Sequence, residues 1–485
     1  MNPLDGIIVA AYLLGAVTLG IVSRGRQKNI DDYFTAGRGL GGRIGMILVG
    51  LSIAPISGLS LLSIPSVSYE HGFKMLAVAL SMPVIWGILH YLFLPRFIRD
   101  DVRNSYDIIE LQYGPGVRTL ASVVFVALRV GWLAALVYAP TLTAMTVLGL
   151  DASWFWPVNL AIGISCTIYT MLGGIRGVIV TDAVQTAMML FGVAFVICYV
   201  TLQLPVGLTD ALGGLREAGQ LPIADFSLDP SIPFTFWALF IGLTLTNLSS
   251  YMGDQMQLQR FLATGSPRAA SRAFGLNVAG TLFNLSMLVT IGVLLRVWYI
   301  HYPDPSLPKE ADRVLPYFVA HSLPPGISGL LMASVLAATM SAMTSGINAL
   351  SGSLTNDFWV RFGPRRTEKQ LLRFARLSSL GVGLCATIAA GFVERLGTIF
   401  EIQNKIMGSF FGPLLACMFL VIYRVKLRSG SVIAGMLLGA SASLLVAYSS
   451  ADALWITPVT FSATFISACV IDVLFPHPRR TILNT

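Results

Sequence analysis

The residues best suited to hold a small cation or a charged solute sit inside stretches that are otherwise apolar. One stretch reads Ala338-Thr339-Met340-Ser341-Ala342-Met343-Thr344-Ser345, with positions 338, 341, 342 and 345 at i, i+3, i+4 and i+7 on one helix face. Backbone and hydroxyl oxygens on such a face suit a hard, singly charged cation. A bare stripe of small residues is more often a close helix-packing surface, and Ser341 and Ser345 suit that role as well. A second stretch, Gly50 to Gly58, carries Pro55 and Gly58 in the middle of an apolar run. Carbonyls freed there cannot be satisfied by lipid, which leaves either a packed proline kink or a break that lines a cavity and binds an ion. A third run carries Thr244, Thr246, Asn247, Ser249, Ser250 and Gly253. Ser57, Ser60 and Asn247 are the polar solute contacts these two runs offer.

Charges within such runs are few. Arg129 is costly there unless it faces a cavity or finds a partner, and its fork binds carboxylate bidentately. It reads as a contact for an organic anion, with Trp132 one turn on as a pocket wall. An ion pair across helices, or snorkelling toward the interface, would serve as well. Asp182 is an acid near the end of an apolar run, and such acids bind cations, cap helices or form ion pairs. Glu401 and Lys405, at i and i+4, read as a pair within one helix or as part of an outer gate.

Membrane-spanning helices must position all of these groups. Of 485 residues, 55% are hydrophobic and only 12% charged, against about 25% charged in soluble domains. That excludes a soluble enzyme, a disordered scaffold and a nucleic-acid-binding domain. Cys166, Cys198, Cys385, Cys417 and Cys469 have no CxxC spacing and indicate neither disulfides nor zinc. No HExxH or GxSxG suggests an intramembrane enzyme. Apolar runs of bilayer length fall near 4–23, 43–68, 73–98, 118–148, 153–173, 177–203, 234–259, 273–300, 326–357, 375–395, 398–423, 430–449 and 453–475. The first lacks a basic flank and a cleavage site, so it reads as a retained span. With these thirteen spans, 24 Lys and Arg fall on one side and six on the other, which puts the N-terminus outside and the C-terminus inside. The long outer segments 204–233 and 301–325 each follow a comparable number of spans and hint at a repeat of five spans plus five.

The stretch Gly173-Gly174-Ile175-Arg176-Gly177-Val178-Ile179-Val180-Thr181-Asp182-Ala183-Val184-Gln185 resembles the signature of the sodium/solute symporter family. Agreeing in order are Asp32-Tyr33-Phe34 with Gly37-Arg38, Ser63-Ile64-Pro65, Gln257 to Arg260, and Gly412-Pro413. Val137-Tyr138-Ala139-Pro140 is similar to the branch that carries monocarboxylates, iodide and vitamins, with bacterial relatives. The resemblance implies an all-α, leucine-transporter-type inverted repeat in a multi-pass protein of the cell membrane, a bacterial inner membrane. It divides the chain into an extra span and first loop (1–42), a first five-helix repeat (43–203), an outer loop (204–233), a second repeat (234–423) and two closing spans with a short tail (424–485). It implies sodium-coupled symport of a small organic solute, an anion such as a monocarboxylate, by alternating access, with no obligate protein partner evident.

By the same resemblance, a central sodium site takes carbonyls of Ile53, Ile56 and Ala338, the Ser341 hydroxyl and a group at position 342. The family usually has a hydroxyl where this chain has Ala342, so one ligand is missing. A second site in some relatives joins the matching Asp, here Asp182, to hydroxyls matching Ser341, Thr344 and Ser345. Ala342 keeps a sodium-independent carrier, proton-coupled or exchanging, as the alternative; a non-transporting sensor ranks behind both.

Overall fold

The computed structural model describes residues 3–23, 58–97, 106–217, 219, 221–254, 257, 267–364 and 367–475. Among them no strand occurs, and the chain is a stack of helices. The longer ones are α1 (Pro3–Ser23), α2 (Gly58–His71), α3 (Ser81–Ile88), α4 (Pro115–Leu148), α5 (Phe155–Gln203) and α6 (Leu243–Gly253). They continue as α7 (Pro267–His301), α8 (Ile327–Ser353), α9 (Glu368–Ala390), α10 (Ile399–Ile422), α11 (Ser429–Ala447) and α12 (Ile456–Leu474). Among the described residues eight helical runs are long and apolar enough to cross a membrane, or nine if the bent pair Met188–Gln203 and Leu208–Glu217 is one span.

Helix ends follow local chemistry. Gly114, at φ 81°, turns the chain into Pro115, whose missing N–H costs nothing at the first helical position of α4. Gly149, at φ 64°, closes α4, and the Leu150 N–H donates to the Met145 carbonyl 2.9 Å away. Thr367 and Gln370 form a reciprocal capping box at the start of α9. One expectation fails on this local level. The turn expected at 174–176, between runs 153–173 and 177–203, is helical backbone within α5. Neither the glycines at 173 and 174 nor Arg176 removes a backbone donor as proline would, so nothing there forces the helix to stop.

The interior is built around α8, which packs on α5, α4 and α1, while α2 packs on α7. At the other end α11 and α12 pair and lean on α10. Small residues permit this closeness: a Cβ on Gly435 would lie 2.8 Å from the Thr464 carbonyl, and one on Gly412 2.7 Å from the Phe461 nitrogen.

The first helix is tied into this core by its only described acid. Asp5 is buried, and its Oδ1 accepts from the Gly326 and Gly329 backbone N–H groups at 2.7 and 2.9 Å, at the N-terminus of α8. The carboxylate meets orphan donors and the positive end of the helix dipole together. Asp5→Ala is expected to lower stability by about 1–3 kcal/mol by leaving those donors unpaired. Thermal unfolding of the detergent-purified chain checks it, and a melting point equal to wild type would show that α1 is held by packing alone.

Candidate functional site

Three neighbours converge on the middle of α8. Toward α2, a Cβ on Gly58 would lie 3.3 Å from the Thr339 backbone nitrogen and press on its side chain, so α2 begins in contact with α8. Toward α5, the Thr170 hydroxyl donates to Thr344 Oγ1 at 3.2 Å, and Thr344 in turn donates to the Met340 carbonyl at 2.7 Å. Toward α4, a Cβ on Gly346 would lie 2.9 Å from Leu133 and 3.0 Å from Trp132. Ser341, Ala342 and Ser345 are half-buried, whereas Met343 and Thr344 between them and Met340 and Gly346 on either side are buried. The face picked out by spacing is therefore the more open side of α8, with Ala338 buried at its upper end.

Ile53, Ile56 and Ser57 lie outside the described residues, as does the side chain of Asp182, whose backbone is within α5. Gly58 is the last residue of the stretch expected to break, so its contact with Thr339 brings α8 against the end of that stretch. Ser60 is half-buried on α2.

Two polar side chains on α8 went unnoticed in the sequence. Thr339 Oγ1 and both amide atoms of Asn348 are buried without a hydrogen-bond partner among the described residues. A buried polar group left unpaired costs about 1–3 kcal/mol, so such groups mark a place where a ligand or water belongs. Asn348 continues the register 338, 341, 345 by three more residues and was legible from spacing. Thr339 stands off that stripe, and only the position of α2 reveals it. Among the described residues no group of three or more His, Cys, Asp or Glu could hold a metal ion, so α8 offers neutral oxygens.

Arg129 has an acidic partner. Its guanidinium forms an ion pair with Asp254, the residue that ends α6, and the two are 4% and 1% exposed. The Arg129 Cζ also lies 4.7 Å from the Trp132 ring and 5.6 Å from the Phe125 ring. The buried Tyr106 hydroxyl donates to the Gly253 carbonyl at 3.0 Å, so two groups clamp the same helix end. The cost that pointed to a bound anion is thus met within the protein. The polar run 244–253 is helical, preceded by a π-turn over Ala238–Gly242; the interruption falls after it, at Asp254, where φ and ψ are −88° and 117°. Along this run Thr246 and Thr457 share a 2.6 Å hydroxyl contact, and Ser249 donates to the Phe411 carbonyl at 2.7 Å. Asn247 is half-buried, with no hydrogen-bond partner among the described residues.

On the side read as outer, Asp312 accepts from Ser66 Oγ and from the Ile399 N–H, both at 2.7 Å, tying α2 to the start of α10. Burial pushes its carboxyl above the usual carboxylate range, while the Ile399 and Ser66 hydrogen bonds pull it down. Lys405 lies 3.5 Å from Glu401 and donates to the Leu396 carbonyl at 2.6 Å, so the i, i+4 pair is formed within α10.

A sequence profile described as the sodium:solute symporter family matches residues 33–439. The human sodium/iodide cotransporter is 29% identical over 451 residues, covering 91% of this chain and 69% of the relative. The sodium/sialic acid symporter of Aliivibrio fischeri is 27% identical over 467 residues, 94% of this chain and 88% of the relative. Human sodium-coupled monocarboxylate transporter 1 is 28% identical over 452 residues, 91% and 73%. In three dimensions the chain resembles a sodium-coupled sialic acid symporter solved in a substrate-bound, outward-open state. The TM-score is 0.85 at 23% identity, over 98% of each chain. A more distant likeness is MhsT, solved with L-phenylalanine, at TM-score 0.53, 16% identity and coverage of 89% and 98%. At these identities the solved structures speak to the fold.

Proposed function

This chain belongs to the sodium:solute symporter family, and from that premise we propose that it imports a small organic anion together with sodium by alternating access. It is a multi-pass membrane protein, and its structural neighbours have the leucine-transporter-type fold. The two repeats at 43–203 and 234–423 belong to the proposal; a thirteen-span count needs 153–173 and 177–203 to be separate spans, whereas α5 runs through both. The observation that carries the ion site is the contact of Thr339 on α8 with Gly58, at the end of the stretch expected to break the second apolar run. A central sodium ion there takes the Ile53, Ile56 and Ala338 carbonyls and the Ser341 hydroxyl, beside an Ala342 that supplies none. Asp182 with Ser341, Thr344 and Ser345 forms the second site; Thr344 Oγ1 accepts one bond, from Thr170, and keeps a second lone pair for the ion.

The substrate class rests on relatives named for iodide, sialic acid and monocarboxylates, all anions. Ser57, Ser60, Trp132 and Asn247 are its proposed contacts. Arg129 has a different task, because an anion that took the guanidinium would strand a buried Asp254 carboxylate. Ala342 supports a second reading, a sodium-independent carrier of the same fold. Uptake into proteoliposomes of labelled iodide, lactate and sialic acid, with sodium or choline outside, tests both. Sodium-dependent uptake of one anion is expected, and uptake indifferent to sodium would overturn the first reading. In the same assay Asp182→Asn is expected to cut the maximal rate several-fold and lower the sodium Hill slope. A wild-type slope and rate would remove the second site.

A further inference from the structure

The side of α7 that faces away from the core carries a pattern unrelated to transport. Arg268, Arg272, Leu276, Ala279 and Phe283 follow one another at intervals of four, four, three and four residues, and all are exposed. The first two are cations in the opening turns of the helix. The rest are apolar, with Leu276 and Phe283 at 46% and 57% exposure. Beside the two arginines lies a cavity of about 330 Å³, lined by both of them with Trp86, His90, Ser271 and Gly275.

The walls of this cavity are ordered by their own contacts. His90 Nδ1 and Ser271 Oγ are 2.6 Å apart, and the His90 ring stacks on Trp86 at 5.1 Å with 10° between planes. Gly275 adds open space, since a Cβ there would meet nothing within 4 Å. Among the described residues neither Arg268 nor Arg272 has an ion pair. Two like charges at i and i+4 repel each other, so an anion between them is favoured.

We propose that this cavity binds the phosphate headgroup of an anionic phospholipid from the leaflet on the side of 260–272. Basic pockets between spans at that level suit phosphate headgroups. From Arg268 to Gly275 the helix rises roughly 10 Å at 1.5 Å per residue. That matches the depth of headgroup and upper glycerol region, and Leu276 and Phe283 continue the same face where acyl chains would lie. The apolar continuation selects a lipid over a free phosphate ion. The inference does not depend on sodium coupling, because binding is read without transport.

The test is native mass spectrometry of the full chain in detergent, titrated with phosphatidylglycerol or phosphatidylcholine of identical chains. Wild type is expected to retain phosphatidylglycerol about tenfold better or more. The double variant Arg268→Gln, Arg272→Gln should bring the two lipids to parity, and Arg268→Lys, Arg272→Lys should keep most of the preference. Gly275→Leu, whose Cβ would meet nothing within 4 Å, places an apolar side chain at the cavity and should also lower retention, with both arginines in place. No preference in wild type, or an unchanged preference in the glutamine and leucine variants, would overturn the proposal. Displacement of the lipid by inorganic phosphate at millimolar concentration would show a free-anion site and overturn the lipid assignment.

Discussion

Asp254→Asn is expected to destabilise the protein by about 3–5 kcal/mol and to abolish most uptake, because it breaks the buried ion pair with Arg129 and leaves that guanidinium charged. Arg129→Ala should do the same from the other side and also loses the stacking on Trp132 and Phe125. The double neutral variant, Arg129→Gln with Asp254→Asn, removes both charges and should recover a large part of the lost stability. That recovery is the coupling a double-mutant cycle measures. A guanidinium that gripped the substrate would give the opposite pattern. Asp254→Asn would then free Arg129 and leave or tighten substrate affinity, and the double variant would lose affinity without gaining stability. Thermal unfolding in detergent, read beside uptake kinetics, separates the two, and wild-type stability in Asp254→Asn would end the clamp assignment. The clamp holds the end of α6, where Asp254 and the Gly253 carbonyl close the polar run 244–253.

The pairing of Arg129 with Asp254 also shows where sequence reading reaches its limit. The two residues are 125 positions apart, and Asp254 follows a run read for its hydroxyls. Hydropathy and charge placement give the depth of a residue in the bilayer and nothing of which helix faces it. By contrast, the stripe 338, 341, 342 and 345 was legible because helical period is a local property, and α8 leaves 341, 342 and 345 half-buried together. Glu401 and Lys405 were legible for the same reason, since i, i+4 contacts need no tertiary information. The turn expected at 174–176 misled because a basic residue between apolar runs has two uses, a loop or a helix surface, and charge alone does not choose. Thr339 was invisible until α2 was placed against it.

Ser341→Ala is expected to raise the sodium concentration for half-maximal uptake by about tenfold, since a ligand to a charged ion contributes roughly 1.5–3 kcal/mol in good geometry. Ala342→Ser should act in the opposite sense. Position 342 is half-buried on the same face, and an added hydroxyl stands one residue from Ser341. If a water fills that corner of the wild-type site, its displacement reduces the gain to a few-fold. Thr339 supplies the control. Its Oγ1 is buried with no partner among the described residues, and valine matches its shape. If that oxygen helps to hold the ion or its water, Thr339→Val weakens sodium activation. If it is merely stranded, the same change leaves sodium activation alone and stabilises the fold by removing an unpaired polar atom. Sodium-activation curves and melting points for the three variants and wild type therefore divide α8 into ligand and scaffold. Equal activation in all four would show that sodium does not bind between α2 and α8, and a wild-type uptake driven by protons in place of sodium would assign the coupling to the second reading.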